Sequence, residues 1–228
     1  MLKDVAVHRR LVREWLVAGM LGIAIALVAG TALRTFVLGA VVVPSRSMCD
    51  TVIPGDRVLV SKLVVPRHVD VGVPFTGVRC AFTVQPLRSL RVGDVLVVRP
   101  PAGWIENPLD RTAFLVKRCA GLPGDTLVFD HDVLMVNGLV LRLPAHAVQR
   151  ERPRVYHDHG AADTVIVPAG EYFLLGDNPG ESIDSRMHGT VPASAVVGIA
   201  AMIYWSVEPA VSTEGGGVRW GRIGRVVR

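Results

Sequence analysis

The stretch WLVAGMLGIAIALVAGTAL, residues 15–33, contains no charged side chain and determines how the rest of the chain is arranged. Its 19 residues are rich in Ala, Leu, Ile, Val and Gly. A helix of about that length crosses the hydrocarbon core of a bilayer. The sequence therefore predicts a single transmembrane anchor over residues 14–34.

The charges that flank this stretch predict its orientation. Four basic residues precede it, against Asp4 and Glu14, and Arg34 is the only charge between it and Arg46. The positive-inside rule then predicts a cytoplasmic N-terminus, residues 1–13, with the remaining chain on the outer side of the membrane. Two alternatives fit less well. A cleaved signal peptide has a shorter apolar region, and a buried core helix would carry a polar face.

Beyond residue 40 the sequence is typical of a mostly antiparallel β-domain. Short apolar runs such as Val95–Val98 and Tyr172–Leu175 are separated by Gly, Pro and Asp, and Asn137-Gly138 between two such runs predicts a two-residue hairpin. Thr35–Val43 is either a buried strand or a segment lying on the membrane. One stretch, Ala193–Ile203, is compatible with a helix. The fold class is therefore mainly β, behind one N-terminal helix.

The basic composition, with a net charge of +5, does not predict nucleic-acid binding, because no recognition motif is present and proximity to anionic lipid explains the charge. The basic C-terminal tail, residues 209–228, is either a short amphipathic segment at the membrane surface or a solvated tail. Cys49, Cys80 and Cys119 leave any disulfide pairing open.

Lys117 is the first candidate for a chemical role. Of the 25 basic residues only three are lysines, and Arg118 stands directly beside Lys117. Arginine stays protonated, whereas a desolvated lysine can lose its proton and act as a base. Lys117 follows the apolar run Phe114–Val116, which could bury it. A lysine that merely extends from the surface at a strand end is the alternative.

A base requires a nucleophile, and Ser47 in Pro44-Ser45-Arg46-Ser47-Met48 is the best candidate. Serine–lysine pairs are a known variant of the serine–histidine–aspartate arrangement. The motifs of α/β-hydrolases, zinc metalloproteases and P-loop NTPases are absent. A metal at His157-Asp158-His159 is disfavoured, because that loop is charged and has no nearby cysteine. We predict neither a metal nor a cofactor.

Five blocks of the sequence resemble bacterial type I signal peptidases, in the same order along the chain. They are the N-terminal span, Val43–Met48, Val92–Val98, Val116–Asp125, and Gly176-Asp177-Asn178 followed by Ser182–Arg186. The resemblance covers roughly residues 14–205. It implies a catalytic β-core over residues 35–122 and 171–208, interrupted by a variable β-subdomain over residues 123–170.

The resemblance also implies a role for each matching residue. Ser47 is the nucleophile and Lys117 the general base. The Ser45 hydroxyl and the Ser47 N–H form the oxyanion hole, and Ser182 orients the lysine. Asp184 and Arg186 form a structural ion pair beside the site.

Two positions depart from the family's pattern. Arg46 stands where the family usually has glycine, and Cys49-Asp50 follow the methionine where it usually has proline. Because arginine does not adopt positive φ cheaply, the turn at Arg46 must be compatible with a side chain. Five apolar residues near the catalytic pair are candidates to line shallow pockets for small substrate side chains: Val41, Val43, Met48, Val52 and Val116.

The implied activity is that of a single-pass enzyme of the cell membrane. It would remove signal peptides from exported preproteins, which the secretion machinery delivers, and cleave after small residues through an acyl-enzyme. Its partners would be these preproteins and membrane lipid. Another serine–lysine peptidase, such as a maturation peptidase or a self-cleaving repressor, is the nearest alternative, and an inactive scaffold is the non-enzymatic one.

Overall fold

A computed structural model describes residues 2–34, 38–72, 79–101, 103–104, 114–130, 133–141, 163–209 and 216–228. The chain divides into two compact units, residues 1–38 and 39–228. The described residues form the helices α1 (Leu2–Ala32) and α2 (Ser185–His188) and the strands β1 (Leu38–Val42), β2 (Asp56–Ser61), β3 (Arg67–Gly72), β4 (Arg79–Val84), β5 (Val95–Val98), β6 (Leu115–Gly121), β7 (Thr126–Asp130), β8 (Val133–Val136), β9 (Leu139–Val140), β10 (Asp163–Ile166), β11 (Glu171–Leu175), β12 (Val191–Pro192) and β13 (Val196–Ser206).

Helix α1 carries the apolar stretch. Its segment Arg13–Thr31 is long and apolar enough to cross a membrane, and none of it is buried against protein. Apolar side chains all around a helix have no favourable environment in water, but they match hydrocarbon. The prediction of an N-terminal apolar helix is confirmed.

The second unit is dominated by a seven-stranded sheet with the order β1-β2-β13-β5-β6-β11-β12. The pairs from β2 through β12 are antiparallel. Strand β5 is buried along its whole length, and β6 from Val116 onward. Their apolar runs explain this burial, because a central strand is covered on both faces. The mainly β, antiparallel fold class is confirmed.

Strand β13 corrects one expectation. The helix that the sequence allowed at Ala193–Ile203 is instead a single 3₁₀ turn, Ala193–Ala195, followed by an eleven-residue strand. Burial along that strand mostly alternates between successive residues, and β13 pairs with β2 on one side and β5 on the other. Pairing on both edges therefore overrides the weak helical pattern.

A separate four-stranded sheet has the order β10-β7-β8-β9, and β3 and β4 form a two-stranded hairpin. The turn between β8 and β9 is Asn137-Gly138, with φ of 51° and 80°. Positive φ at both central residues is the type I′ geometry that matches strand twist, so the predicted hairpin is confirmed. The domain boundaries around residues 123–170 stay a prediction, and residues 142–162 lie outside the described part.

The C-terminal residues differ from both descriptions offered for a basic tail. Residues 216–228 pack along β13, where Ile203 N donates to Arg225 O and Val227 N donates to Ala201 O. Val227 is buried in the main hydrophobic cluster, Arg222 donates to the buried Asp56 carboxylate, and Arg219 donates to the carbonyl oxygen of residue 54. This segment is therefore part of the folded domain. Its arginines bind a buried carboxylate, and the sequence pattern did not reveal that contact.

Candidate active site

Lys117 lies in the middle of β6, opposite Leu96 of β5, and is 2% exposed. Its amine Nζ is 3.0 Å from Ser182 Oγ. Burial destabilises the ammonium form and lowers the pKa of Lys117 from 10.5 to about 8, although the charge of Asp184 partly opposes this shift. A useful fraction of neutral amine is therefore present near neutral pH.

A chain of hydrogen bonds runs from Lys117 to a buried ion pair. Ser182 Oγ donates to Asp184 Oδ2 at 2.7 Å, and Arg186 binds Asp184 through Nε at 3.0 Å and Nη2 at 2.8 Å. Because the Ser182 hydroxyl donates its hydrogen to Asp184, the Ser182 oxygen accepts a hydrogen bond from the Lys117 amine. This bond fixes the direction of the amine.

Asp184 remains ionised in its buried position. Burial alone would raise the pKa of Asp184, but hydrogen bonds from Arg186, Ser182 and the Gly176 amide, with the charge of Arg186, outweigh it and lower the pKa below 3.8. Asp184 also caps α2 by accepting from the Arg186 amide. The ion pair therefore holds one wall of the site in place.

Ser47 lies on a loop, residues 43–56, that we call the Ser47 loop. Its ends are joined by two hydrogen bonds, Val43 N to Asp56 O and Gly55 N to Val43 O. Inside the loop, Met48 O accepts from the amides of Thr51 and Val52. Closed ends and an internal turn give the loop a defined shape on the surface of the sheet.

Ser45 and Ser47 face each other within this loop, with their hydroxyl oxygens 3.2 Å apart. Arg46 between them does not have a positive φ; among the described residues Asn137 is the non-glycine residue that does. The turn thus accommodates a side chain, as the sequence required. Arg46 points outward and forms an exposed ion pair with Glu181 at 3.3 Å.

The segment Gly176-Asp177-Asn178 joins the Ser47 loop to the Lys117 side of the site. Asn178 N donates to Ser47 O at 2.9 Å. A Cβ at Gly176 would stand 2.1 Å from Ser182 Oγ and 2.6 Å from Ser47 O, so only glycine fits here. The backbone of Ser47 therefore lies beside Ser182, the hydrogen-bond partner of Lys117.

The structure brings together most of the predicted site residues, but it does not join Ser47 to Lys117 by a hydrogen bond. Lys117, Ser182, Asp184 and Arg186 form one hydrogen-bonded row. The Ser47 hydroxyl bonds Ser45, while the Lys117 amine bonds Ser182, and no hydrogen bond joins Ser47 to Lys117. The catalytic roles of these residues stay predictions.

Sequence reasoning missed a second buried ion pair behind the site. Arg118 binds Asp177 through two bonds of 2.7 Å, and its Nη2 also donates to Thr51 Oγ1 at 3.0 Å. Thr51 in turn donates to Asp177. Both residues belong to motifs that the sequence reveals, since Arg118 follows the lysine and Asp177 is the acidic residue of Gly-Asp-Asn. Nothing in the sequence showed that the two pair.

The five predicted pocket residues all belong to one buried hydrophobic cluster. Their exposed fractions run from 0% at Val52 to 8% at Val41, and the cluster also contains Val58 and Val95. They lie on β1, in the Ser47 loop and on β6. Their role in binding substrate side chains stays a prediction.

Cys49 and Cys119 carry free thiols, and the side chain of Cys80 lies outside the described part. Within the residues that the structure describes, no group of three His, Cys, Asp or Glu side chains could hold a metal ion. His157-Asp158-His159 falls outside that part of the chain, so the prediction for it is untested.

The chain also matches a known protein family. The model of the family described as signal peptidase, peptidase S26, matches residues 12–205. The chain belongs to this family. That range includes the Ser47 loop, Lys117 and the Ser182–Arg186 segment. Family membership supports a peptidase and leaves the roles of individual side chains to be argued from geometry.

Individual relatives agree with this assignment. The chain is 30% identical over 193 residues to a signal peptidase I of Leptolyngbya laminosa, covering 84% of this chain and 81% of that protein. It is 30% identical over 225 residues to a signal peptidase I of Mycobacterium tuberculosis, covering 86% and 74%. A crystal structure of a signal peptidase I from Enterococcus faecalis V583 shares 28% identity with a TM-score of 0.37, covering 49% of this chain and 97% of that one.

Proposed function

We propose that this protein is a membrane-anchored endopeptidase that removes signal peptides from exported preproteins, with Ser47 as nucleophile and Lys117 as general base. The observation that carries the proposal is the state of Lys117. It is a buried lysine whose pKa is lowered to about 8, oriented by Ser182 beside the Ser47 backbone, in a chain of the signal peptidase family. A base with a pKa near the working pH is effective in proton transfer.

The first half of the reaction forms an acyl-enzyme. The Ser47 hydroxyl leaves its contact with Ser45 and gives its proton to neutral Lys117, while its oxygen attacks the scissile carbonyl carbon. Ser45 and the Ser47 N–H hold the resulting oxyanion. The Ser47 N–H suits this role, because no backbone hydrogen bond among the described residues uses it.

The second half returns the enzyme to its starting state. The Lys117 ammonium gives its proton to the amine of the departing mature protein as the peptide bond breaks, which leaves the signal peptide as an ester on Ser47. Neutral Lys117 then takes a proton from water, whose oxygen attacks the ester. The signal peptide leaves with a free carboxylate, and Ser47 recovers its proton from Lys117.

Substrate binding uses an edge of the larger sheet. Strand β1 is one of the two outer strands of that sheet in the described part and leads directly into the Ser47 loop. An extended peptide added along β1 would carry its scissile bond toward Ser47. Small side chains at the first and third positions before that bond would enter shallow pockets near Val41, Val43, Met48, Val52 and Val116.

Helix α1 supports the proposed setting of the reaction. Its 19-residue apolar segment anchors the protein in the cell membrane, and the basic residues before it keep the N-terminus in the cytoplasm. The catalytic domain then faces the outer side. Its partners are preproteins, delivered there by the secretion machinery, and membrane lipid.

Cleavage of a preprotein by the detergent-solubilised full chain tests this proposal. The expected product has a new N-terminus directly after an Ala-x-Ala type site, identified by N-terminal sequencing. Ser47→Ala is the matched control and should give no product. Cleavage by Ser47→Ala would assign the chemistry to another residue. Absence of cleavage by the wild-type protein would favour the inactive scaffold.

A further inference from the structure

The C-terminal clasp, residues 216–228, lies beyond the family match, which ends at residue 205. It contains the 3₁₀ turn Trp220–Arg222 and returns along β13 to end beside the Ser47 loop. Nothing in the proposed reaction uses it. Its arginines nevertheless bind buried groups in the loop that carries the nucleophile.

Arg222 connects the clasp to two points of the Ser47 loop. Its Nε donates to Asp56 Oδ1 at 3.0 Å and its Nη2 to Asp56 Oδ2 at 2.6 Å. The same Nη2 donates to Thr51 O at 3.2 Å. One planar guanidinium therefore spans the closing end of the loop and the turn that follows Ser47, which a single ammonium could not do.

Asp56 depends on these donors, because it is fully buried. Ile53 N and Ser206 Oγ also donate to its carboxylate, at 2.9 and 2.6 Å. Arg219 supports the same group by donating to Ser206 Oγ at 2.9 Å and to Pro54 O at 2.6 Å. A buried carboxylate that loses its charged partner must shift or become protonated, and either change would alter the end of the loop.

Thr51 is the point at which the clasp meets the Lys117 side of the site. Its carbonyl oxygen accepts from Arg222, while its side chain bonds Arg118 and Asp177. The carbonyl oxygen of Arg228, the last residue, accepts from Arg118 Nη2 at 3.1 Å. Thr51, in the turn that follows Ser47, is thus held both by Arg222 of the clasp and by Arg118 of β6. Arg118 directly follows the proposed base.

We propose that Arg222 is a positioning residue for Ser47, acting through Asp56 and Thr51 to hold the Ser47 loop against β6. This inference rests on the proposed function for its effect on cleavage. Ser47 is on a loop, so its distance from the Lys117 amine depends on contacts outside the loop. A displacement of about 1 Å in a reacting group costs on the order of 10²-fold in rate.

Arg222→Gln in the full-length enzyme tests the proposal through two measurements. We expect kcat to fall roughly 10- to 100-fold, with a smaller rise in KM for the preprotein, since the β1 edge is untouched while the Ser47 loop carries three of the five proposed pocket residues. Amide hydrogen exchange should also become faster at Thr51 and Val52, whose N–H groups close the turn at Met48. Arg225→Gln is the matched control in the same segment, because Arg225 Nε bonds only its neighbour Gly221 O in the described residues. It should change neither quantity.

Arg222→Lys keeps the cation and covers the case in which Arg222→Gln does not fold. Lysine cannot span Asp56 and Thr51 together, so we expect an intermediate kcat and intermediate exchange. A wild-type kcat in either folded Arg222 variant would overturn the proposal. Faster exchange spread evenly over the domain would also overturn it, because that pattern indicates general destabilisation.

The failure of this inference can be told apart from failure of the proposed function. If the wild-type protein cleaves no preprotein, the proposed function fails, while exchange at Thr51 and Val52 still decides whether Arg222 holds the loop. If the wild-type protein cleaves and Arg222→Gln changes neither kcat nor exchange, the positioning role alone is wrong.

Discussion

The two halves of the proposed catalytic pair are held in different ways. Lys117 lies within β6, whose backbone is paired with β5 on one side and β11 on the other. Ser47 lies on a loop whose place is fixed by hydrogen bonds from Asn178, Arg118 and Arg222. Substitutions at the lysine should therefore act through chemistry, and those around the serine through geometry. The predictions below test that division.

Lys117→Arg should have the largest effect, a loss of cleavage on the order of 10⁴-fold or more. Arginine keeps the positive charge but cannot accept the Ser47 proton, because its pKa stays above about 12. The measurement is the cleavage rate of a model preprotein, with folding checked by circular dichroism. Lys62→Arg is the matched control and should stay near the wild-type rate. A wild-type rate in Lys117→Arg would remove Lys117 as the base.

Ser45→Ala should come next, with a loss on the order of 10²–10³-fold in kcat. The Ser45 hydroxyl, 3.2 Å from that of Ser47, is the side-chain donor proposed for the oxyanion. The fold should be intact, since Ser45 is exposed. Ser194→Ala, another exposed serine, is the control, and kcat is measured for both. An unchanged kcat in Ser45→Ala would mean that another donor fills the oxyanion hole.

The difference between the two halves also explains what the sequence could predict. The strand of Lys117 was visible as an apolar run, and the anchor and the Asn137-Gly138 hairpin were visible as local patterns. The site residues were visible because their motifs resemble a known family. Each of these signals lies within a short piece of chain.

Contacts between distant pieces of the chain were not predictable in this way. The helix allowed at Ala193–Ile203 proved to be a strand, because pairing with β2 and β5 decided its conformation. The C-terminal arginines read as a basic tail, since their partner Asp56 is about 166 residues away along the chain. An isolated charge pattern does not reveal whether a buried carboxylate lies opposite.

Lys117→Met should make the folded protein more stable at pH 7 while it abolishes cleavage. A pKa lowered from 10.5 to about 8 means that holding the buried ammonium costs up to roughly 3 kcal/mol below pH 8. Between pH 8 and 10.5 the unfolded chain binds more protons than the folded one, so wild-type stability rises with pH and this penalty fades. Methionine removes the charge at similar length.

Urea unfolding of the detergent-solubilised proteins at pH 7 and pH 10 measures this effect. We expect the advantage of Lys117→Met to be large at pH 7 and small at pH 10. Lys62→Met, at a half-buried lysine, is the control for removing a lysine charge elsewhere in the chain, and a gain as large as that of Lys117→Met would show that the effect is not specific to residue 117. A lower stability of Lys117→Met at pH 7 would mean that the amine contributes more through Ser182 than its burial costs.

The last prediction concerns the pH profile of kcat: in the folded fraction of Asp184→Asn, the profile should shift toward lower pH. In the wild-type enzyme the active form is neutral Lys117, so activity rises as pH passes through about 8. Burial lowers the pKa of Lys117, and the charge of Asp184 opposes it; asparagine removes that opposition while the charge of Arg186 stays, so the pKa falls further. The amide oxygen can still accept from Ser182 and the Gly176 amide.

The ratio of variant to wild-type kcat should therefore increase as pH falls below 8, whereas Glu181→Gln, which removes an exposed carboxylate, should keep the wild-type midpoint. A midpoint that stays in place or moves upward in Asp184→Asn would show that the profile does not report the titration of Lys117.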